Sequence, residues 1–377
     1  MSNLERAASI EDLRLLARKR LPRSIFEFID GGAGAGVTAG RNMTDFAQHR
    51  LMPRCSVDVS KRSLATQIVG FNSSLPLVLA PTGLAGLYWP KGEIAAARAA
   101  SAAGIPFCLS TNSVCSIEEV ASGAPDVERW FQLYFLKDHE LMSAMMSRAK
   151  QAGYRTLCLT LDLPVQGRRD NDIRNAFTVP LKPRLKTVLE VAMRPGWAFG
   201  ALRGEVKFGN FQGVGSSGGF TSIAQHIANL CDASADWSSA SRLIEAWGGP
   251  VVLKGILNPS DARKALEVGA EAIIVSNHGG RQLDHVPSAI EALPAVVAAV
   301  GGAIPVILDG GVRRGTDIAI ALTLGARACM IGRPFLWGLA ARGEPGVARA
   351  LQIFREELDT ALAILGVPKS SDLEGAV

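Results

Sequence analysis

The sequence predicts an α/β protein built as a (β/α)8 TIM barrel, with an N-terminal helical cap and an insertion after the fourth strand. Three observations carry this. From about residue 75 onward, eight short apolar runs rich in β-formers recur along the chain. Alanine-rich stretches with helical spacing and a closing glycine separate them, such as GEIAAARAASAAG and PSDARKALEVGA. Each run ends in polar or glycine residues, where barrel enzymes gather their chemistry. A doubly wound sheet is the competing architecture, but no GxGxxG follows the first run.

The elements follow in order. In SIEDLRLLARKRL, Ser9 is a natural N-cap and Ile10, Leu13, Leu15 and Leu16 keep helical spacing. Pro22 permits a second helix in SIFEFID, which Gly31 and Gly32 stop. The predicted strands are Leu75–Ala80, Ile105–Ser110, Trp130–Phe135, Thr156–Asp162, Pro250–Lys254, Ala272–Ser276, Ile304–Asp309 and Ala328–Gly332. Several are almost continuously apolar, as strands of a parallel sheet buried on both faces should be. The expected organisation is one domain over 1–377. Residues 1–65 form the cap, 66–180 and 236–345 the barrel, 181–235 an insertion rich in Gly and Ser around GVGSSGGF, and 346–377 the C-terminal helices.

Composition narrows the function. At 48% hydrophobic over 377 residues, the chain has ample material for a core. A net charge of +5 does not by itself point to nucleic acid. The six cysteines form no CxxC pair or zinc-spaced cluster, and Cys108, Cys158 and Cys329 sit in apolar runs, so a reducing, cytoplasmic setting is expected and no metal. The N-terminus shows no apolar signal segment, and no uninterrupted apolar stretch is long enough to span a bilayer.

The strand ends place the chemistry. DGGVRRG puts Gly310 and Gly311 before Arg313, and IGR puts Gly332 before Arg333. These loops follow strands seven and eight, where barrels hold phosphate. Gln132 and Thr160 can hydrogen-bond an uncharged heterocycle, and Lys254 sets a cation against an anionic ring. A flat cofactor with a phosphate tail fits this distribution. His278, in SNHGGRQLD, is the best-placed proton handler, with Arg281 able to fork onto a carboxylate and Asp162 a candidate to hold the imidazole. His49, His139, His226 and His285 lack such context.

Taken together and in order, SNHGGRQLD, DGGVRRGTD, WFQLY, LTLDLPVQGRRDND and LVLAPTG resemble the FMN-dependent α-hydroxy acid dehydrogenases and oxidases, and the N-terminal LPRSIFEFIDGGAG extends the likeness over nearly the whole chain. The combination is specific where any single motif is not. The resemblance implies that FMN takes two electrons as an L-2-hydroxy acid becomes a 2-oxo acid. It assigns His278 as the base, Asp162 as its partner, Arg169 and Arg281 to the substrate carboxylate, Tyr134 to the substrate oxygen, and Lys254 to the flavin edge. Thr82, Ser110, Gln132 and Thr160 match flavin hydrogen-bonders, with Pro81 and Gly83 flanking Thr82 in the same contact. Asp309, Gly311, Arg313, Gly332 and Arg333 match the ribityl and phosphate contacts. Whether His278 takes the Cα proton or the hydroxyl proton stays open.

Departures from the family pattern refine the expectation. Phe28 stands where the family has a tyrosine on the substrate carboxylate, and with only Tyr88, Tyr134 and Tyr154 in the chain no nearby tyrosine is expected to replace it. Asn112 stands where short-chain oxidases carry a bulky tryptophan, which leaves room for a larger side group. Gly83 favours a quinone or other carrier over oxygen, and APTGLAGLYWPKGE is more similar to the mandelate dehydrogenases than to the glycolate oxidases. Mandelate-like or lactate-like substrates are therefore expected. The rival readings are an oxidase that makes hydrogen peroxide and a barrel that binds flavin without catalysis. Residues 181–207 carry six Lys or Arg against two Glu, together with Val188, Leu189, Val191, Met193, Trp197, Phe199 and Leu202. A basic segment with Trp and Phe suits an anionic membrane surface, so peripheral attachment to the inner face of the cell membrane is expected, with a homotetramer implied by the family.

Overall fold

In this computed structural model, residues 4–175, 178–179, 190–203, 208–211, 221–222 and 230–373 are described. Eight parallel strands close into a barrel: β1 (Leu77–Leu79), β2 (Phe107–Leu109), β3 (Arg129–Tyr134), β4 (Thr156–Thr160), β5 (Val251–Ile256), β6 (Ala272–Ser276), β7 (Val306–Asp309) and β8 (Ala328–Ile331). Neighbours in sequence are neighbours in the sheet, and β8 closes on β1 through Cys329–Leu77, Met330–Val78 and Ile331–Leu79. Each of the eight predicted runs overlaps one of these strands, with ends shifted by up to two residues.

Side-chain alternation sorts each strand into two cores. One parity points into the barrel, where Val78, Cys108, Trp130, Cys158, Val252, Ile274, Ile307 and Met330 form a cluster of their own. The other parity, including Phe131, Leu133, Leu253, Ile273 and Cys329, packs under the surrounding helices. Burial on both faces explains why the runs read as continuous apolar sequence. All six cysteines are free, and only Cys55 is exposed.

A hairpin that the sequence reading did not anticipate seals the N-terminal end of the barrel. Thr66–Ile68 pairs antiparallel with Phe71–Ser73 around Val69 and Gly70, and Ile68 and Val69 join the interior cluster. At the other end lie the N-terminal helices. Ser9 caps Ile10–Arg20 in a reciprocal arrangement with Asp12, and that helix packs against Arg333–Arg342. Arg23–Asp30 follows, as expected, and brings Phe28 and Ile29 over the mouth of the barrel.

Just before the insertion, Thr178–Val179 pairs with Thr221–Ser222 inside it, and Pro195–Arg203 is helical. The GVGSSGGF run, residues 181–189 and 204–207 of the basic stretch, and His226 lie outside the described residues. Trp197 departs from its expected role as a membrane-facing aromatic. Its ring is buried and its indole N–H donates to Leu87 O at 2.9 Å, because a buried donor needs an acceptor. Val191 also packs against the core, whereas Met193 and Phe199 are exposed.

Candidate active site

The last inward positions of successive strands change character. Ser110, Gln132, Thr160, Lys254, Ser276 and Asp309 form a buried polar ring above the apolar interior. Lys254 Nζ lies 2.6 Å from Asp309 Oδ2 and donates to Ser276 Oγ at 2.8 Å. Ser276 Oγ donates to Asp309 Oδ2 at 2.7 Å and accepts the His278 backbone N–H at 3.0 Å. Burial works against the Lys254 charge, but Asp309 and Asp162 outweigh it and hold its pKa above the usual lysine range. Ser276 was not singled out from the sequence, although its inward parity directly before Asn277-His278 was the available signal.

Beyond β6 the chain turns left-handed at three consecutive residues, His278 (φ 58), Gly279 (φ 66) and Gly280 (φ 72). This costs a histidine energy that glycine would not lose. A reciprocal amide pair between Asn277 and Asn42, at 2.8 Å each way, holds the turn. A Cβ on Gly280 would stand 2.5 Å from the Ala39 backbone nitrogen, so only glycine fits there. The turn delivers the imidazole to Asp162, with Nδ1 3.1 Å from Oδ1 and 3.3 Å from Oδ2. Asp162 can approach because β5 bulges at Gly255, where a Cβ would lie 2.7 Å from the Asp162 side chain. Burial opposes the Asp162 charge, yet His278 and then Lys254 prevail and hold the carboxyl below its ordinary range.

Four guanidiniums surround the same opening. Arg169 Nε donates to Arg281 O at 3.2 Å, and Arg281 Nη1 donates to Phe28 O and Gly31 O at 2.8 and 3.0 Å. Arg333 donates to Ile29 O, Gly279 O and Gly31 O. Burial, reinforced by Arg281, pulls the Arg169 and Arg333 pKa values down to about 9, and burial pulls Arg313 down to about 10. Buried cations gathered this densely call for anions.

One cavity of about 1130 Å³, counting its open mouth, is lined by all the sequence-predicted site residues except Asp162, which meets it through His278. It also admits a tyrosine. Tyr88, fully buried, lines the cavity with Phe28, Arg169 and Arg281, against the expectation that no tyrosine approaches this corner. The chain folds it in through the turn at Ala85–Leu87, which local sequence did not signal.

The family described as FMN-dependent dehydrogenase matches residues 17–377. The chain belongs to that family. It is 44% identical to an L-lactate dehydrogenase of Caulobacter vibrioides over 96% of this chain and 94% of the relative. It is 41% identical to an (S)-mandelate dehydrogenase of Pseudomonas putida, covering 97% and 92%. Among solved structures, a monotopic membrane (S)-mandelate dehydrogenase superposes with a TM-score of 0.91 at 40% identity, covering 97% of each chain.

As an FMN-dependent dehydrogenase, the protein has a cavity whose residues fit the cofactor. Gln132 Nε2 and Thr160 Oγ1 are buried in the polar ring without a hydrogen-bond partner among the described residues. Both are free to pair with a heteroatom from a bound molecule or water. Arg313 Nε is likewise unpartnered beside the Gly310–Gly311 turn, whose φ values of 131 and 85 only glycine adopts freely. An unpartnered guanidinium beside a glycine turn thus stands at one part of the cavity, and unpartnered neutral polar groups stand at another.

Proposed function

We propose that the protein oxidises an L-2-hydroxy acid of the mandelate or lactate type to the 2-oxo acid. The supporting observation is that the Asp162–His278 pair opens into the same cavity as Arg169 and Arg281. A proton acceptor and a carboxylate clamp there face one small space, and the relatives named L-lactate and (S)-mandelate dehydrogenase agree with that chemistry. FMN bound in the cavity supplies a two-electron acceptor.

The chain's own residues have separate tasks. Arg169 and Arg281 take the substrate carboxylate and fix which face of Cα is presented. His278, with Nδ1 on Asp162, offers Nε2 to the substrate proton, and Asp162 stabilises the imidazolium that forms. Tyr134, whose hydroxyl burial keeps protonated, orients the substrate oxygen. Gln132, Thr160, Ser110 and Thr82, flanked by Pro81 and Gly83, would hold the heterocycle. Lys254 would set a fixed cation at its polar edge, and Asp309, Gly311, Arg313, Gly332 and Arg333 would hold the ribityl phosphate.

Gly83 supports a quinone or other carrier, rather than oxygen, as the acceptor. Peripheral attachment to the inner face of the membrane is supported by the exposed Met193 and Phe199 on a basic segment and by a monotopic relative. No helix among the described residues is long and apolar enough to cross a membrane.

The test is anaerobic bleaching of the FMN-loaded protein by L-lactate, L-mandelate, glycolate and longer acids, with oxygen uptake set against dye reduction. At least one L-acid should bleach the flavin. His278→Asn should retain flavin and bleach about 10²- to 10⁴-fold more slowly. A flavin that no 2-hydroxy acid reduces would overturn the assignment.

A further inference from the structure

Phe28 holds its expected place but brings no donor. Arg281 lies over its ring, 5.3 Å from the centroid, and binds its carbonyl, so the segment is docked while the ring offers only a π-face. The carboxylate corner therefore has two guanidiniums and no neutral hydrogen-bond donor from residue 28.

The loop after β1 supplies one. Leu84 turns left-handed (φ 58), and the buried Glu93 carboxylate accepts the N–H groups of Gly86 at 3.2 Å and Val114 at 2.9 Å. The carbonyls on either side of the next peptide are also held, Leu87 O by Trp197 Nε1 at 2.9 Å and Tyr88 O by Arg20 Nη1 at 3.0 Å. Tyr88 is thus clamped at its backbone and is only 1% exposed. Its ring lines the cavity beside Phe28, Arg169 and Arg281, and its hydroxyl makes no hydrogen bond among the described residues. Burial pushes the phenol pKa up against the pull of Arg281 and Arg169, so the group is a neutral donor within the field of both guanidiniums.

We propose that Tyr88 donates to the substrate carboxylate the hydrogen bond that Phe28 cannot, so that the hydroxyl reaches the site from the β1 loop instead of the N-terminal helix. The assignment rests on the reading of Arg169 and Arg281 as the carboxylate clamp. Chemically, one oxygen has moved between two aromatic rings that share one corner. The corner keeps its donor number and its net charge, while the wall at residue 28 becomes apolar.

Tyr88→Phe removes a single oxygen. In the FMN-loaded protein, oxalate, a non-reacting dicarboxylate, is titrated through the flavin absorbance, and KM and kcat are measured with the best L-2-hydroxy acid. The oxalate Kd and the KM should rise about 10- to 100-fold, as for a lost hydrogen bond to a charged partner, while kcat and flavin content hold within about twofold. Phe28→Tyr placed in the Tyr88→Phe background should restore most of the lost affinity, a rescue that a purely structural tyrosine would not show. Arg281→Lys is the reference. If it weakens oxalate and Tyr88→Phe does not, the Tyr88 assignment is overturned alone. If neither substitution weakens oxalate, the clamp reading falls with it.

Discussion

The two ends of the barrel are built from the same strands and the same inward-facing parity, yet they hold opposite chemistry. Toward the N-terminal end, Trp130, Cys158, Val252, Ile274 and Ile307 fill the interior and Ile68 and Val69 close it. Two residues further along, the same face carries Gln132, Thr160, Lys254, Ser276 and Asp309, all buried. The lower layers gain stability from apolar burial. The upper ring loses solvation and regains it only through internal pairing. Stability alone would have extended the apolar layers upward. The upper ring is therefore what the proposed cofactor role asks for, and its stability cost is consistent with that role.

Making the top resemble the bottom is the sharpest test. Lys254→Met leaves Asp309 and Asp162 buried without their central cation, and denaturant unfolding of the apoprotein should show a loss of about 3–5 kcal/mol, with flavin retention abolished. Adding Asp309→Leu should recover most of that stability while flavin binding stays lost. A double variant that stayed as unstable as the single one would show that the ring supports the fold and not the ligand.

The same contrast explains what could be read from sequence. The strands were legible because two-sided burial writes them as apolar runs, and the site was legible because charge interrupts those runs at their ends. Ser276 was passed over because serine at a strand end looks ordinary until its parity puts it between Lys254 and Asp309. Tyr88 and Phe28 lie far apart in the chain, and only the turn at Ala85–Leu87 and the docking of Arg23–Asp30 bring them to one corner. Trp197 looked like a membrane aromatic because composition does not record which side of a short helix finds an acceptor.

A smaller effect separates the two ends by pH. Charge is absent from the lower layers, whereas burial and mutual repulsion draw Arg169 and Arg333 down to about 9 and Arg313 to about 10. Between these values and the usual 12.5, the unfolded chain binds more protons than the native one, so these groups make the fold more stable as pH rises through that window. Anion binding runs the other way, because a carboxylate or phosphate needs the charged form. Oxalate affinity should be flat below pH 8 and fall by up to about tenfold per unit above 9 as Arg169 loses its proton. Flat affinity to pH 10 would mean that Arg169 keeps its proton and is less desolvated than its burial implies.

The floor of the barrel poses the finest balance. Val69 sits at φ 46, a left-handed conformation that costs a β-branched residue about 1–2 kcal/mol, and Gly70 follows at φ 71 to complete a two-residue hairpin turn. Asparagine is the ordinary choice for such a turn and would relieve most of that strain. Val69 is nonetheless 5% exposed and packed into the interior cluster, a burial that contributes about 1.5–3 kcal/mol. Arg155 Nη2 holds the turn by its carbonyl at 3.3 Å whichever side chain it carries. Burial outweighs strain by these magnitudes, so Val69→Asn should destabilise the protein by about 1 kcal/mol in thermal or denaturant unfolding and leave flavin binding untouched. A gain in stability would reverse the inequality. The valine would then be retained for something other than closing the barrel, and the lower end could no longer be described as the part of the molecule built for stability alone.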